Sequence, residues 1–327
     1  MPVTADAASH FLDLLAARDR PGALAFARRQ LDAGASVADV VVDVLATAQR
    51  RVGELWEAGT WTVSQEHAAT AIVEAVLADI ASAPRQGSRG RVVLACCEQE
   101  WHSLPARMLS EMLEARSWEV TFLGASASAD DLGEFLRDVD PIGLLVSCSV
   151  AMNLLGAARI VDAAHAAGYR VIAGGAALAT AARADALGAD GWAASIEQAD
   201  AILDQWRAEP GLPRPVTRPG ANAGSAIDGS QRELVDAAMA ALAGRIPAVS
   251  RFTERQISRT RADYGYIVSF AAASVLLEDN ALFDEFVEWL DGILVRLGHA
   301  GVLAVSLEVL ASVARDHPEL VELLGRS

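Results

Sequence analysis

The stretch Ala95-Cys96-Cys97-Glu98-Gln99-Glu100-Trp101-His102-Ser103-Leu104-Pro105 decides how the centre of this chain folds. It follows an apolar run with strand character at residues 91–95 and precedes a helical pattern that begins at Leu104. In an open α/β sheet, the crevice outside such a strand end is where ligands bind. His102 is therefore a candidate ligand-binding residue, although a single His in a loop is more often a solvated side chain.

The region from 90 to 207 repeats this strand and helix alternation. Strand-like runs occur at residues 92–95, 119–123, 143–146 and 170–173. Helical patterns lie between and after them, at about 104–116, 130–139, 152–167 and 195–207. Such alternation predicts a doubly wound parallel sheet.

The strand ends of that sheet supply its binding loops. Besides Glu100 and His102, the candidate residues are Ser147 and Ser149 after the third strand and the pair Gly174 and Gly175 after the fourth. Paired glycines allow a flat ligand to approach the backbone closely. Taken singly, such serines and glycines are weak signals in any α/β protein.

Residues 5 to 82 carry apolar residues at helical spacing, separated by breakers at Pro21, Gly34 and Gly59. This pattern predicts an antiparallel four-helix bundle, whose fourth helix opens with a capping box at residues 62–65. The capping places Glu66 and His67 in the first turns of that helix, opposite Trp56. Each of these three side chains also has an ordinary structural interpretation. Trp56 could be a core residue, Glu66 could stabilise the positive end of the helix dipole, and His67 could be a surface residue.

Residues 208 to 230 are rich in Pro, Gly, Ala and Ser and predict an extended linker. Residues 231 to 327 predict an all-helical domain with a break near residues 264–266, so that the chain as a whole has a multidomain α and α/β fold. Arg251, Arg255 and Arg259 fall four residues apart, with Arg261 nearby. Like charges at this spacing repel one another on a helix, so such a cationic stripe favours the binding of anions. Pairing with Glu254 and Asp263 on a solvated face is the alternative. Aromatic side chains predict either a core or an apolar slot beside the stripe: Tyr264, Tyr266, Phe270, Phe283, Phe286 and Trp289.

Composition excludes several classes of function. The net charge of −16 argues against a nucleic-acid surface, and all 27 basic residues are Arg, which excludes a Schiff-base or P-loop lysine. The absence of a long apolar run and of an export signal predicts a cytoplasmic protein that does not enter membranes. The three cysteines, Cys96, Cys97 and Cys148, suit a reduced compartment and lack the spacing of a zinc site.

The spacing of Trp56 from Glu66-His67, with nine residues between them, resembles the Trp-x9-Glu-His signature of light-sensing adenosylcobalamin-binding proteins. The resemblance implies that the bundle lies over the corrin ring. Trp56 would then cover the adenosyl group, and Glu66 and His67 would contact it.

The segment from Glu100 to Pro105 is similar to the Asp-x-His-x-x-Gly motif of the cobalamin-binding, Rossmann-like domain. The resemblance implies that His102 is the lower axial ligand of cobalt, while the Ser147 and Ser149 loop and the Gly174 and Gly175 loop enclose the nucleotide tail. Glu100 replaces the Asp of the motif but keeps a carboxylate that can orient the His ring. Pro105 replaces the Gly, which alters contact with the tail.

The order of bundle, sheet domain and C-terminal helical domain resembles that of the photocobilins, photoreceptors that bind both cobalamin and biliverdin. The resemblance implies a bilin in the third domain, bound non-covalently because no cysteine lies beyond Cys148. Its propionates would pair with residues of the Arg stripe, and Tyr264 and Tyr266 would belong to the same site.

These resemblances predict a light sensor rather than an enzyme. Glu57 stands where the light-sensing regulators carry a His after the Trp, and we do not expect their DNA-binding domain ahead of the bundle. We therefore expect signalling through domain or subunit arrangement in a homo-oligomer, a dimer or tetramer, toward a partner that the sequence does not identify. A corrinoid carrier for methyl transfer and a cofactor storage module remain as alternatives.

Overall fold

The computed structural model describes residues 6–81, 89–296 and 298–326. The predicted bundle limits at residues 5 and 82, and the predicted end of the third domain at residue 327, lie outside the described residues.

The N-terminal region forms the predicted helical bundle. Its helices are α1 (Ala7–Ala16), α2 (Arg20–Asp32), a third helix composed of α3 (Val37–Asp39), a π-helical segment (Val40–Ala46) and α4 (Thr47–Glu57), and α5 (Val63–Ile80). The predicted capping box is present, because the Thr62 side chain accepts from Gln65 N while the Gln65 side chain accepts from Thr62 N. Leu104 and Met108 of the next domain complete the bundle core and so seat the bundle on it.

The central region contains a sheet of five parallel strands. They are β1 (Arg91–Cys96), β2 (Glu119–Phe122), β3 (Leu144–Ser147), β4 (Val171–Gly174) and β5 (Gly191–Trp192), in the order β2-β1-β3-β4-β5. The predicted doubly wound sheet is confirmed, with a short fifth strand that the sequence pattern did not indicate. The strand order reverses between β1 and β3, which is where open α/β sheets form a ligand crevice.

Helices cover both faces of this sheet. One face packs on α6 (Leu104–Ala115) and α10 (Ile196–Ala208). The other face packs on α7 (Leu132–Val139) and α8 (Leu154–Ala166), while the short helix α9 (Ala181–Ala186) precedes β5. Two 3-10 turns, Ala151–Asn153 and Ala176–Leu178, follow β3 and β4 and form part of the crevice wall.

The C-terminal region is all helical, as predicted. Its helices are α11 (Ala221–Gly229), α12 (Gln231–Arg245), α13 (Glu254–Leu277), α14 (Asn280–Arg296), α15 (Val302–Val313) and α16 (Pro318–Leu324), with a 3-10 turn at Pro247–Arg251. It does not have a core separate from the sheet, because Leu154 and Ala157 of α8 belong to the same buried cluster as Ile267 and Ala271 of α13. The sheet domain and the third domain are therefore joined by one hydrophobic core, whereas the bundle has its own.

Two local features differ from the sequence expectation. The region expected to be an extended linker contains helix α11, whose small residues serve close packing: a Cβ at Gly224 would lie 2.8 Å from the Ala272 carbonyl oxygen of α13. Helix α13 also runs through Gly265 without the expected break. The Gln231 side chain donates to the Gly265 carbonyl oxygen at 3.0 Å, so α12 supports the helix at this glycine.

No helix in the described part of the chain combines the length and the apolar character that crossing a membrane requires.

Candidate functional site

A cavity of about 990 Å³ opens at the carboxyl end of the sheet, where the three regions of the chain meet. The bundle contributes the turn after α4, with Trp56 and Gly59. The sheet domain contributes His102 and Ser149, and the third domain contributes the inward faces of α13 and α14. Trp56 and His102, which are 46 positions apart in the sequence, therefore line one space.

Glu100 forms the buried floor of the crevice between β1 and β3. One of its oxygens, Oε1, accepts from His102 Nδ1 at 2.6 Å and from His102 N at 2.9 Å. The other, Oε2, accepts from Ser149 N at 2.7 Å, Val150 N at 3.0 Å and Asn153 Nδ2 at 3.2 Å. Burial acts to raise the pKa of Glu100, but these hydrogen bonds outweigh it and lower the pKa to about 2. Glu100 is therefore a fixed carboxylate that connects the His102 loop to the loop after β3.

The His102 ring is held by this carboxylate and lines the cavity. With Nδ1 bonded to Glu100, Nε2 is left for a ligand, and the side chain is 65% exposed. The Glu100 hydrogen bond raises the pKa of His102, and the Glu66 charge of the bundle adds to that rise. A histidine oriented through one ring nitrogen by a buried carboxylate is the usual arrangement of an imidazole metal ligand. His102, oriented by Glu100, therefore fits the role of an axial ligand of cobalt.

The bundle side of the cavity is formed by the turn between α4 and α5. Trp56 lines it and is 38% exposed, which leaves much of its indole surface for a ligand. Glu66 bonds to His67 Nδ1 and accepts from the Thr70 hydroxyl at 2.7 Å. Neither Glu66 nor His67 lines the cavity, although Glu66 is near enough to His102 to affect its pKa.

The serine and glycine candidates take different positions around the crevice. Ser147 is buried in β3 and lies beside Cys96 and Gly174 in the strand register. Ser149 lines the cavity, and its backbone N–H is already bonded to Glu100. Gly175 has a φ of 101°, and a side chain there would collide with the Cys148 carbonyl oxygen, so this glycine is required by the backbone of the crevice itself.

Cys97, Cys148 and Glu100 form a buried cluster whose donor atoms lie within 4.8 Å of one another. The Glu100 oxygens are already engaged, and the thiols donate to backbone oxygens: Cys97 to Asn153 at 3.6 Å and Cys148 to Val150 at 3.4 Å. Interaction with Cys97 and burial raise the pKa of Cys148 well above its ordinary value. The donor atoms of this cluster are therefore engaged in hydrogen bonds within the crevice floor and are not free to bind a metal ion.

The third-domain wall of the cavity is aromatic. Phe270 and Phe286 stack with ring centroids 4.0 Å apart, and the Trp289 ring lies 6.2 Å from that of Phe286. Tyr266 also lines the cavity, whereas Tyr264 is buried in the domain core and does not.

Only part of the predicted Arg stripe reaches the cavity. Arg259 lines it, Arg261 pairs with Asp236, and Arg251 and Arg255 lie outside the lining. Three charged residues of the lining were not named in the sequence analysis: Arg183, Glu285 and Arg296. Asp263 was named only as a pairing partner on a solvated face, and its four-residue spacing from Arg259 was the available signal for its place in the cavity.

Comparison with known proteins agrees with this geometry. Residues 8–79 and residues 90–201 each match a B12 binding domain. The chain is 36% identical over 99 residues to the HTH-type transcriptional repressor CarH of Myxococcus xanthus, which covers 30% of this chain and 33% of that protein. It therefore spans about a third of the length of CarH.

Corrinoid proteins are similar over a longer segment. Dimethylamine corrinoid protein 1 of Methanosarcina mazei is 27% identical over 170 residues, which covers 50% of this chain and 78% of that protein. The structure of the Methanosarcina barkeri monomethylamine corrinoid protein superposes with a TM-score of 0.52 at 17% identity, covering 60% of this chain and 96% of that one. This last likeness concerns the fold alone.

Proposed function

We propose that this chain, a cobalamin-binding protein by both of its matched domains, is a photoreceptor that uses adenosylcobalamin. Bound adenosylcobalamin supplies a cobalt–carbon bond that light breaks. The observation that carries the proposal is that Trp56 of the bundle and the Glu100-held His102 of the sheet domain line the same cavity. The resemblance of the Trp56, Glu66 and His67 spacing to that of light-sensing adenosylcobalamin-binding proteins supports the adenosyl form of the cofactor.

Each residue has a distinct part in this proposal. Glu100 fixes the orientation of His102, whose Nε2 would hold the cobalt. Trp56 covers the adenosyl group from the bundle side, with Glu66 and His67 at the start of α5 nearby. Ser149 and the segment after Gly175 form the rest of the crevice wall.

The division of hydrophobic cores supports a signalling role. The bundle has its own core, while the sheet and third domains share one, so the bundle is the part best able to move as a unit. Its described contacts with the rest include Leu104 and Met108, and a bond from the Arg296 side chain to the Glu57 carbonyl oxygen at 3.2 Å. Because Trp56 lines the cavity, a change in what it contacts there would shift the bundle and change the contacts between subunits of a homo-oligomer.

The light-sensing proposal is tested with Trp56→Ala, and with Val42→Ala as a control of similar exposure outside the cavity lining. Stacking of an aromatic residue on a base contributes about 1–3 kcal/mol. We expect Trp56→Ala to lose that much binding energy for adenosylcobalamin and little for hydroxocobalamin, as measured by absorbance titration in darkness. The wild-type complex should change its spectrum on illumination. An adenosyl complex that is stable to light would refute the photoreceptor proposal.

A second chromophore, biliverdin, is proposed for the third-domain half of the cavity. The aromatic wall and Arg259 support this, since a bilin offers a conjugated surface and propionates. Adding biliverdin to the cobalamin-loaded protein should give a red-absorbing complex that survives gel filtration but not denaturation, because the bond is non-covalent. If no pigment is retained, the bilin proposal fails, while the cobalamin proposal is unaffected.

The alternative is a corrinoid carrier for methyl transfer, which the longer match to dimethylamine corrinoid protein 1 favours. A carrier must present its cofactor to other enzymes. Here α13 and α14 wall the cavity beside Trp56, which limits such access. Exchange of a methyl group between the methylcobalamin-loaded protein and a partner methyltransferase would support the carrier.

A further inference from the structure

Helices α13 and α14 form the third-domain part of the cavity lining, which we call the slot. On α13 the lining residues Arg259, Asp263, Tyr266 and Phe270 recur at three- and four-residue spacing, so they share one helical face. The opposite face of α13, with Val268 and Ala272, is buried in the core shared with the sheet domain. The slot is therefore a fixed surface of the sheet and third domains.

Asp263 is the unusual residue of this slot. It is half-buried at the aromatic wall, and in the described part of the chain no donor bonds to its carboxylate. Arg259 lies one turn earlier on the same face but does not form an ion pair with it. Glu285, another carboxylate of the third-domain lining, is bonded to Arg183 at 2.7 Å. Asp263 is thus a carboxylate beside an aromatic wall that accepts no hydrogen bond from the described residues.

Such a group is costly unless a ligand satisfies it, because a half-buried carboxylate loses hydration without gaining a hydrogen bond. Burial holds the pKa of Asp263 above its ordinary value, although the charge of Arg259 acts against this rise. A ligand that matches the slot would have a conjugated face that packs on Phe270 and Trp289. It would also have an anionic group that pairs with Arg259 and N–H groups that donate to Asp263. A linear tetrapyrrole has all three.

We propose that Asp263 recognises the second ligand by accepting hydrogen bonds from its ring N–H groups, while Arg259 pairs with a ligand carboxylate. The two residues lie on one helical face and bind different parts of the same molecule. This inference rests on the bilin part of the proposed function and adds the residues that select the ligand class.

The test compares biliverdin with its dimethyl ester, which keeps the ring N–H groups but has no carboxylates. The full cobalamin-loaded chain is titrated with each pigment as wild type, Asp263→Asn, Asp263→Leu and Arg259→Met. Asp291→Asn, on α14 outside the lining, is the matched control. Thermal unfolding and cobalamin uptake establish that each variant folds.

We expect Asp263→Asn to bind both pigments roughly 10- to 100-fold more weakly, and Asp263→Leu more weakly still, because a charged hydrogen-bond acceptor is lost. Arg259→Met should lose affinity for biliverdin and not for the ester. The inference is overturned if Asp263→Asn binds both pigments as the wild type does. It is also overturned if its defect is confined to biliverdin, since Asp263 would then act only through Arg259. A wild-type protein that binds neither pigment would refute the bilin proposal itself, together with this inference.

Discussion

Replacing His102 with alanine is expected to abolish the spectrum of imidazole-ligated cobalamin. Nδ1 of this ring is bonded to Glu100 at 2.6 Å, so Nε2 is the nitrogen presented to cobalt. Residues that merely orient a metal ligand contribute about 10- to 100-fold to metal affinity, and loss of the ligand itself should cost at least the upper end of that range. The measurement is an absorbance titration with cobalamin in darkness.

Two controls make this result specific. His299→Ala removes an exposed imidazole outside the cavity lining and should bind cobalamin as the wild type does. Added imidazole should restore the ligated spectrum to His102→Gly, because the smaller side chain leaves room for it. If His102→Ala keeps the wild-type spectrum, His102 is not the axial ligand.

Replacing Glu100 with glutamine is expected to weaken both the fold and the site. The carboxylate is fully buried and accepts from His102, Ser149, Val150 and Asn153, and an amide nitrogen in place of one oxygen would face donors. Each buried donor left without an acceptor costs about 1–3 kcal/mol, so we expect a loss of about 2–4 kcal/mol in the free energy of unfolding. Denaturant unfolding of the cofactor-free protein measures this loss.

The same substitution should lower cobalamin affinity by about 10- to 100-fold, because His102 is no longer oriented by a charge. Glu197→Gln is the matched control: it changes an exposed carboxylate that pairs with Arg116, and such surface pairs contribute at most about 1 kcal/mol. Glu100→Asp should retain part of both properties, since it keeps the charge. Wild-type stability and affinity in Glu100→Gln would contradict the role given to this carboxylate.

Some of this site could be predicted because its signals are local. The capping box at Thr62 and Gln65 and the position of His102 between a strand end and a helix start depend on neighbours within a few residues. The match of Trp56, Glu66 and His67 to a known spacing is also a property of one short segment. For the cationic stripe, the sequence indicated four arginines, but the structure brings only Arg259 to the cavity.

The remaining features depend on contacts between distant parts of the chain. The composition of residues 221–229 suggested a linker, yet these small residues let α11 lie against the backbone of α13. The third region was predicted as an all-helical domain of its own, and its helices instead share the core of the sheet. Composition and periodicity do not indicate which surface an apolar helix face will cover, because that depends on the shape of the partner.

The sequence by itself determined the helical bundle, the parallel sheet and the placement of His102 at a strand end, since hydrogen bonding and side-chain periodicity act between residues close along the chain. Only the tertiary structure decided that Glu100 is held by the backbone of Ser149 and Val150, and that Asp263 rather than Arg251 or Arg255 joins Arg259 in the cavity. The physical reason is that strand order and helix packing bring together groups far apart in sequence, and a buried carboxylate acquires its partners only when those segments meet.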